Sequence, residues 1–433
     1  MKPSKYNYTA NNGDGNIILY NILSDQILIT TPPLASLWQE HQTDVKAIAD
    51  IHPAYYEALQ KKGFIVDDTT DETTHLIDRW SEELYDNHTL RLTINPTLDC
   101  NFRCWYCYEE HKTDMHINEQ TLTAIYLYLH KQYINPQINH IEISFFGGEP
   151  LLHAYDVVLP LIKDVVKGCE ENNKSYHISF TTNGFLLTPD IVEQLKKSCK
   201  SIFFQITLDG NEVLHNRTRF TTDKKGSYQT IVNNAIYAAQ QGLEIYMRLN
   251  YTDRNITSMV DILDDFEPVK EEVKFDFHKV WQVKQCDELE QQVENVKQTF
   301  RDRGFNVEAD SHTTKVHCYA DYSGCYVINY NGDVYRCTAR DFKGHNRIGI
   351  LTKDGEIIAQ EQTKEEIRKR YDRPACYNCI IFPICHAGCS QDKLEYPDGT
   401  QCLRFYDENE KIKIITERIK ELTKSIQTQQ NNI

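Results

Sequence analysis

The sequence predicts an α/β protein built around a parallel sheet, with a small N-terminal domain before it and a cysteine-rich segment after it. Three observations carry this. From residue 90, strand-like apolar runs alternate with segments of helical periodicity. Eight of the 14 cysteines fall between residues 318 and 402, where long periodic elements disappear. The first 66 residues hold strands and helices of their own. With 433 residues the chain exceeds one ordinary domain, and two or three are expected.

In the N-terminal part, NIILYNI and QILITT are β-rich runs around Ser24-Asp25, a turn signal, so a hairpin is expected. LASLWQEHQ, TDVKAIADI and PAYYEALQKKG show helical periodicity, with Thr43 and Pro53 as start signals and Gly63 as a stop. FIV reads as a returning strand. Strands, short helices and a strand suggest a winged-helix-like module over residues 1–70. DDTTDETT is an acidic linker, and HLIDRWSEELYD, within residues 71–89, reads as a helix leading onward.

The βα alternation then begins. LRLTINPT, HIEISFFGGEP, YHISFTTNG, SIFFQITLDG, LEIYMRLNYT and VKFDFHKVW read as strands. QTLTAIYLYLHKQY, AYDVVLPLIKDVVKGCEEN, PDIVEQLKKSC, YQTIVNNAIYAAQQG and NITSMVDILDDFE read as the helices between them. About six βα units fit, fewer than the eight of a full barrel. Beyond residue 310 the chain is loop-rich, with GDVY (332–335) as a hairpin turn that positions Cys337. YDENEKIKIITERIKELTKSIQ, within 406–433, is a charged amphipathic helix.

The formal charge of −16 argues against a nucleic-acid binder and against adhesion to an anionic membrane. No apolar run reaches membrane-spanning length, and the N-terminus lacks a signal-peptide core. A cytoplasmic protein is expected, in which disulfides are disfavoured. Clustered cysteines at short spacing then point to metal. Cys169, Cys199 and Cys286 stand apart and read as ordinary core or surface thiols.

The first cluster is DCNFRCWYCYEEH, residues 99–111, which places Cys100, Cys104 and Cys107 as C-x3-C-x2-C directly after the first strand of the repeat. Open α/β and barrel sites form at such strand ends. Iron–sulfur cubanes are normally held by four cysteines. Three therefore require a distant fourth cysteine or a non-protein ligand. A structural zinc site borrowing His111 or His116 is the rival reading.

CNFRCWYC closely resembles the signature of the radical S-adenosylmethionine (SAM) superfamily. The resemblance implies a partial (β/α)6 TIM-like barrel over residues 90–304 and a [4Fe-4S] cluster whose fourth iron is chelated by SAM. It also implies reductive cleavage of SAM to a 5′-deoxyadenosyl radical that abstracts hydrogen, with electrons from an external donor such as flavodoxin or ferredoxin. FFGGEP places Gly147, Gly148 and Glu149 in the loop the family uses for the SAM amino group, and TTNG places Asn183 beside it. QITLDG and HNRTR place Thr207, Asp209 and Arg219 where the family holds ribose and carboxylate. An arginine fork suits a carboxylate.

The C-terminal spacing, Cys318-x13-Gly332-x4-Cys337, then Cys376-x2-Cys379-x5-Cys385-x3-Cys389 and Cys402, resembles the SPASM extension of radical SAM enzymes. Residues 305–405 would form that domain. The resemblance implies two more [4Fe-4S] clusters, an inner one on Cys318, Cys325, Cys337 and Cys389 and an outer one on Cys376, Cys379, Cys385 and Cys402. Three [4Fe-4S] clusters and SAM are thus the implied cofactors. Zinc ribbons are the alternative for the C-x2-C pairs. His317 and His386, beside cysteines, read as surrounding residues rather than ligands.

SPASM enzymes typically modify peptides or proteins, an argument by analogy. Ribosomal-peptide maturases often carry an N-terminal winged-helix-like domain that binds the precursor leader by strand addition, and residues 1–66 match its size and position. Such an enzyme would form a thioether or other crosslink. Anaerobic sulfatase-maturating enzymes, which make formylglycine, share the core. They carry an aspartate where this chain has Thr338, with Asp341 nearby but out of register, and they lack so long an N-terminal extension. A non-catalytic iron–sulfur electron carrier is the third reading, opposed by the intact SAM-side loops. The catalytic acid or base is unassigned by sequence.

Overall fold

A computed structural model describes residues 1–11, 16–109, 111, 113–284, 286–308, 317–360 and 362–431. Strands β1 (Asn7–Asn11), β2 (Ile17–Asn21) and β3 (Gln26–Thr30) come first, then helices α1 (Pro32–His41), α2 (Val45–Ile51), α3 (Pro53–Lys61) and α4 (Glu72–Leu84). The repeat follows as β4 (Thr89–Ile94), α5 (Glu119–Tyr133), β5 (His140–Phe145), α6 (Leu159–Glu171), β6 (Ser175–Thr182), α7 (Pro189–Ser198) and β7 (Ile202–Leu208). It continues with α8 (Glu212–Thr218), α9 (Tyr228–Gln240), β8 (Glu244–Tyr251), β9 (Val273–Lys279), α10 (Asp287–Asp302) and β10 (Asn306–Val307). Four short strands come next, β11 (Cys325–Ile328), β12 (Asp333–Tyr335), β13 (Arg347–Leu351) and β14 (Ile357–Ala359). Helices α11 (Lys364–Tyr371), α12 (Ser390–Glu395) and α13 (Glu408–Asn431) end the described chain. No helix among the described residues is long and apolar enough to cross a membrane.

The chain divides into two compact units. One holds residues 86–308 and 324–361. Its sheet runs β10-β9-β8-β7-β6-β5-β4-β11-β12-β13-β14, with β4 to β9 in sequential parallel order. This mostly parallel sheet is consistent with the partial barrel expected from the sequence. On β8, Ile245, Met247, Leu249 and Tyr251 are buried in the core under the helices, while Tyr246, Arg248 and Asn250 lie on the other face. β9 repeats the pattern, with Asp276 and His278 on that second face. The strict alternation therefore carries polar side chains to the concave side. Cys169 and Cys199 are buried thiols of this core, while Cys286 is exposed. NITSMVDILDDFE forms 3-10 turns around a four-residue helix rather than one continuous helix.

The second unit gathers residues 1–85, 309–323 and 362–433, of which 309–316, 432 and 433 lie outside the described residues. The hairpin is present: β2 and β3 pair antiparallel around Asp25, which adopts a left-handed conformation with φ 58°. Asn12 to Gly15, between β1 and β2, lie outside the described residues. β1 and β3 are the edges of this three-stranded sheet. The returning strand Ile65–Val66 pairs with Lys2–Pro3 instead of joining it. One sheet face buries Ile17 and Leu19 against Trp38, Ile48 and Leu59 of the short helices. The other buries Ile18 and Tyr20 with Trp80 of α4, Ile367 of α11 and Ile415 of α13.

This division differs from the five sequence segments. The N-terminal module shares a core with the C-terminal helices, because both sheet faces are apolar. Residues 324–361 join the barrel sheet, because β11 pairs in parallel with the edge of β4, Cys325 opposite Arg91.

Candidate active site

β4 delivers the cysteine loop at the carboxyl end of the sheet. Cys100 is buried, Cys104 partly so and Cys107 exposed. The GGEP loop braces it. Gly148 N–H donates to Thr97 O (3.0 Å) and Glu149 N–H to Asp99 O (2.9 Å). A Cβ on Gly148 would stand 2.1 Å from Asp99 O, and one on Gly147, at φ +107°, 2.2 Å from Thr97 O. Both glycines thus permit backbone approach to the chain's own cysteine loop. The Glu149 carboxylate is fully buried and accepts from Leu151 N (3.0 Å), Thr182 Oγ1 (2.7 Å) and Asn183 N (2.8 Å). It ties the β5 loop to the β6 loop. Asn183 Nδ2 then donates to Asn101 Oδ1 (2.7 Å), inside the cysteine motif.

Burial pushes the Cys100 thiol up to about 12, with Glu149 adding to it. Only a bound cation would hold it as thiolate. Of the two histidines a zinc site would borrow, His111 Nδ1 meets Leu98 O at 3.3 Å and His116 stacks on His153 at 5.3 Å. Among the described residues no three His, Cys, Asp or Glu side chains converge as a single ion requires. Three thiols on one loop suit the wider corners of a cubane.

Tyr106, between the last two cysteines, ties together the residues that the sequence expects at SAM. Its hydroxyl donates to Asp209 (2.8 and 2.9 Å) and accepts from Arg219 Nη1 (2.9 Å) and Asn250 Nδ2 (3.1 Å). Arg219 Nε is buried without a partner. Thr207 stands in register with Arg248, and Arg248 with Asp276, so these residues form a row across β7, β8 and β9. A cavity of about 570 Å³ opens here, lined by Trp105, Tyr106, Asp209, Asn250 and Val283 among others. The Asp209 carboxylate and the aromatic wall of Trp105 and Tyr106 suit a ligand with hydroxyl groups and a flat ring, while Arg219 reaches the same cluster from behind through the Tyr106 hydroxyl. The sequence reading missed Tyr106, Asn101 and Asn250. The aromatic pair inside the motif was the available signal for Tyr106; Asn101 and Asn250 carried none.

A buried relay sets this geometry. His215 Nδ1 accepts from Asp209 N–H (3.2 Å), so its proton sits on Nε2 and goes to Ser227 Oγ (3.0 Å). Ser227 in turn donates to Arg219 O (2.6 Å). Burial drives the His215 ring well below its usual range, so it stays neutral.

On the same concave face, His278 Nε2 lies 2.5 Å from Asp276 Oδ2. Burial works to raise the Asp276 carboxyl, but His278, Arg248 and Lys297 outweigh it and hold it below the usual range. Asp341, near the position of the sulfatase-maturase aspartate, is engaged by Asn346 (2.7 Å), Lys343 (3.2 Å) and His345 (3.5 Å). Thr338 O accepts from Tyr108.

In the other unit, Cys376, Cys379, Cys385 and Cys402 are mutually close. Burial pushes the Cys376 thiol up to about 12, with Cys385, Cys379 and Cys402 raising it further. Cys318 and Cys389 also lie in this unit, close enough to influence each other; Cys325 and Cys337 belong to the barrel unit. His317 and His386 stack at 4.1 Å, 14° from parallel, against Trp80. They pack as neighbours of the cysteines, and His317 Nδ1 also meets Tyr371 OH (3.0 Å).

Residues 94–266 match the model of the Radical SAM superfamily. A cysteine-type anaerobic sulfatase-maturating enzyme of Clostridium novyi is 25% identical over 72% of this chain and 91% of its own. A GTP 3′,8-cyclase of Trichormus variabilis is 35% identical, over only 21% of this chain and 26% of its own length. Among solved structures, anSMEcpe with bound AdoMet superposes with TM-score 0.58 at 16% identity, covering 79% of this chain and all of that one. Streptococcus suis SuiB bound to precursor peptide SuiA superposes with TM-score 0.53 at 17% identity, covering 93% of this chain and 99% of that one. The chain is an enzyme of the radical SAM superfamily. In fold it is similar to anSMEcpe and to Streptococcus suis SuiB.

Proposed function

We propose that this enzyme modifies a ribosomally made precursor peptide by removing hydrogen from an unactivated carbon, ending in a thioether or other crosslink. The observation that carries this reading is the three-stranded N-terminal sheet with two edge strands, on a chain that otherwise holds the radical SAM loops and the C-terminal cysteine sets. An edge strand is what a leader peptide needs for strand addition. The likeness in fold to SuiB, solved with its precursor peptide, supports it over nearly the whole chain.

When bound, SAM on the Cys100–Cys104–Cys107 cluster supplies the abstracting radical. The chain's own residues do the rest. Arg219 presents its spare Nε to a carboxylate. Asp209 faces ribose hydroxyls, with Thr207 on the same face. Gly147, Gly148, Glu149 and Asn183 hold the cysteine loop in place. Asp276 and His278 are the pair that can take and pass a proton beside the substrate. The two auxiliary cysteine sets would carry electrons or support the fold.

Formylglycine formation is the second reading, favoured by the Clostridium novyi relative. Thr338 speaks against it, since a threonine hydroxyl is no base at neutral pH.

The test is the mass of small peptides encoded beside this gene after anaerobic co-expression. A loss of about two hydrogens per site supports crosslinking, and fragmentation locates the bond. An unchanged mass with deuterium uptake in heavy water indicates epimerisation. With neither, peptide maturation is refuted and a sulfatase-derived peptide is the next substrate. In the same assay Cys104→Ala should abolish 5′-deoxyadenosine formation.

A further inference from the structure

Among the described residues Arg373 is the largest fully buried side chain, 1% exposed. It is placed just before Cys376, whose N–H donates to Arg373 O (2.9 Å). Only one of its guanidinium nitrogens is used: Nη1 donates to Tyr396 O (2.9 Å). Nε and Nη2 are buried with no partner. The loop at Gly399 closes over it, a Cβ there falling 3.1 Å from the Arg373 Cα. Asp398 is within electrostatic reach but gives its carboxylate to Thr400 (2.9 Å).

A guanidinium cannot shed its proton, so a buried one requires an anion. No carboxylate of the described residues bonds it. The nearby groups that can become anionic are the thiols of the outer cysteine set. Three cations lie within electrostatic reach of this set: Arg373 of Cys376, Arg404 of Cys385, and Lys411 of Cys379 and Cys402. Arg404 is exposed, and Lys411 is paired with Glu408 (2.6 Å). Arg373 alone is both buried and unpaired.

We infer that the Arg373 guanidinium donates Nε–H and Nη2–H to the sulfur atoms of the metal centre on Cys376, Cys379, Cys385 and Cys402, and thereby sets its reduction potential. The inference rests on the reading of these four residues as an outer [4Fe-4S] site. Four thiolates make such a centre anionic, and each added electron makes it more so. A buried positive charge with two N–H donors favours the reduced state more than the oxidised one. Arg373 is a positioning residue here: it touches the centre's ligands and not the substrate. It biases this site toward receiving an electron.

The experiment is a potentiometric titration, followed by electron paramagnetic resonance, of the full chain reconstituted anaerobically with iron and sulfide. Cys100, Cys104 and Cys107 are replaced by Ala so that only auxiliary signals remain. Arg373→Met should make reduction of one auxiliary centre at least tenfold less favourable, about 59 mV for one electron, and leave the other unmoved. Arg373→Lys, which keeps the charge but loses the fork, should fall between. Arg373→Met should also lose iron to a chelator faster than the parent. If both centres keep their potentials in both variants, or if both shift equally, the inference is overturned. Where the Met variant does not retain its iron, the Lys variant decides by the same criterion. If the parent chain itself binds zinc or no iron at these cysteines, the outer-cluster reading fails and the inference with it. That failure is visible in the parent, whereas failure of the Arg373 inference alone appears only in the variants.

Discussion

Asp209→Asn should make the SAM-free chain more stable at neutral pH and worse at holding SAM. Burial pushes the Asp209 carboxyl up to about 6 from an ordinary value of 3.8, against the pull of Arg219 and the Tyr106 hydroxyl. A group raised in the folded state contributes stability that is full below about pH 4 and lost as pH rises through about 6. Each unit is about 1.4 kcal/mol. At pH 7.5 the ionised carboxylate therefore costs about 3 kcal/mol relative to a neutral isostere, and at pH 5 about half that. Asparagine keeps an oxygen for the Tyr106 hydroxyl, so little else is lost. Urea denaturation of the anaerobic full chain should show the variant more stable by about 3 kcal/mol at pH 7.5, the gain shrinking by half at pH 5. Equilibrium dialysis should show SAM affinity reduced roughly tenfold or more, the worth of a charge-assisted hydrogen bond. A destabilised variant at pH 7.5, or a gain that does not change with pH, would refute the assignment of Asp209 as an ionised group held in place for a ligand.

Three further outcomes are expected. Gly148→Ala should displace the cysteine loop, because its Cβ would stand 2.1 Å from Asp99 O; a loss of at least ~2 kcal/mol in urea, with reduced iron at the SAM-side cluster, checks it. Trp80→Ala, which removes an indole packed on His317, Tyr371, Phe382 and His386, should cost about 3–5 kcal/mol of stability by the same measurement. His278→Gln should slow peptide product formation on the order of 100-fold while 5′-deoxyadenosine still forms; equal loss of both products would show a structural role instead.

The legible part of this protein was its covalent periodicity. Six strands and four of the five helices between them followed from alternating apolar runs, and the cysteine motif marked a strand end. Glu149 and Asn183 could be singled out from their loops, but their contacts could not. Glu149 spends both carboxylate oxygens on Leu151, Thr182 and Asn183, a bond set between consecutive loops that no local pattern encodes. Arg373 was invisible for a related reason. In sequence it is one more charged residue beside a proline; only the closed loop around it makes it a buried, unmatched cation. That Cys325–Ile328 extends the β4 edge was not legible either, because a β-strand carries no sign of which sheet edge it will join.

Arg418 of α13 binds Asp25, in the turn of the first hairpin, across a sequence separation of 393 residues. Ile414, Ile415 and Ile419 of the same helix cover the adjoining sheet face. During synthesis that face therefore waits for its lid. At ~5–20 residues per second, the interval between the two segments leaving the ribosome is roughly 20–80 s. For that time Ile18, Tyr20 and Ile27 have α4 to pack on but lack the cover of α11 and α13, a natural station for a chaperone and the point at which a truncated transcript would betray itself by aggregation.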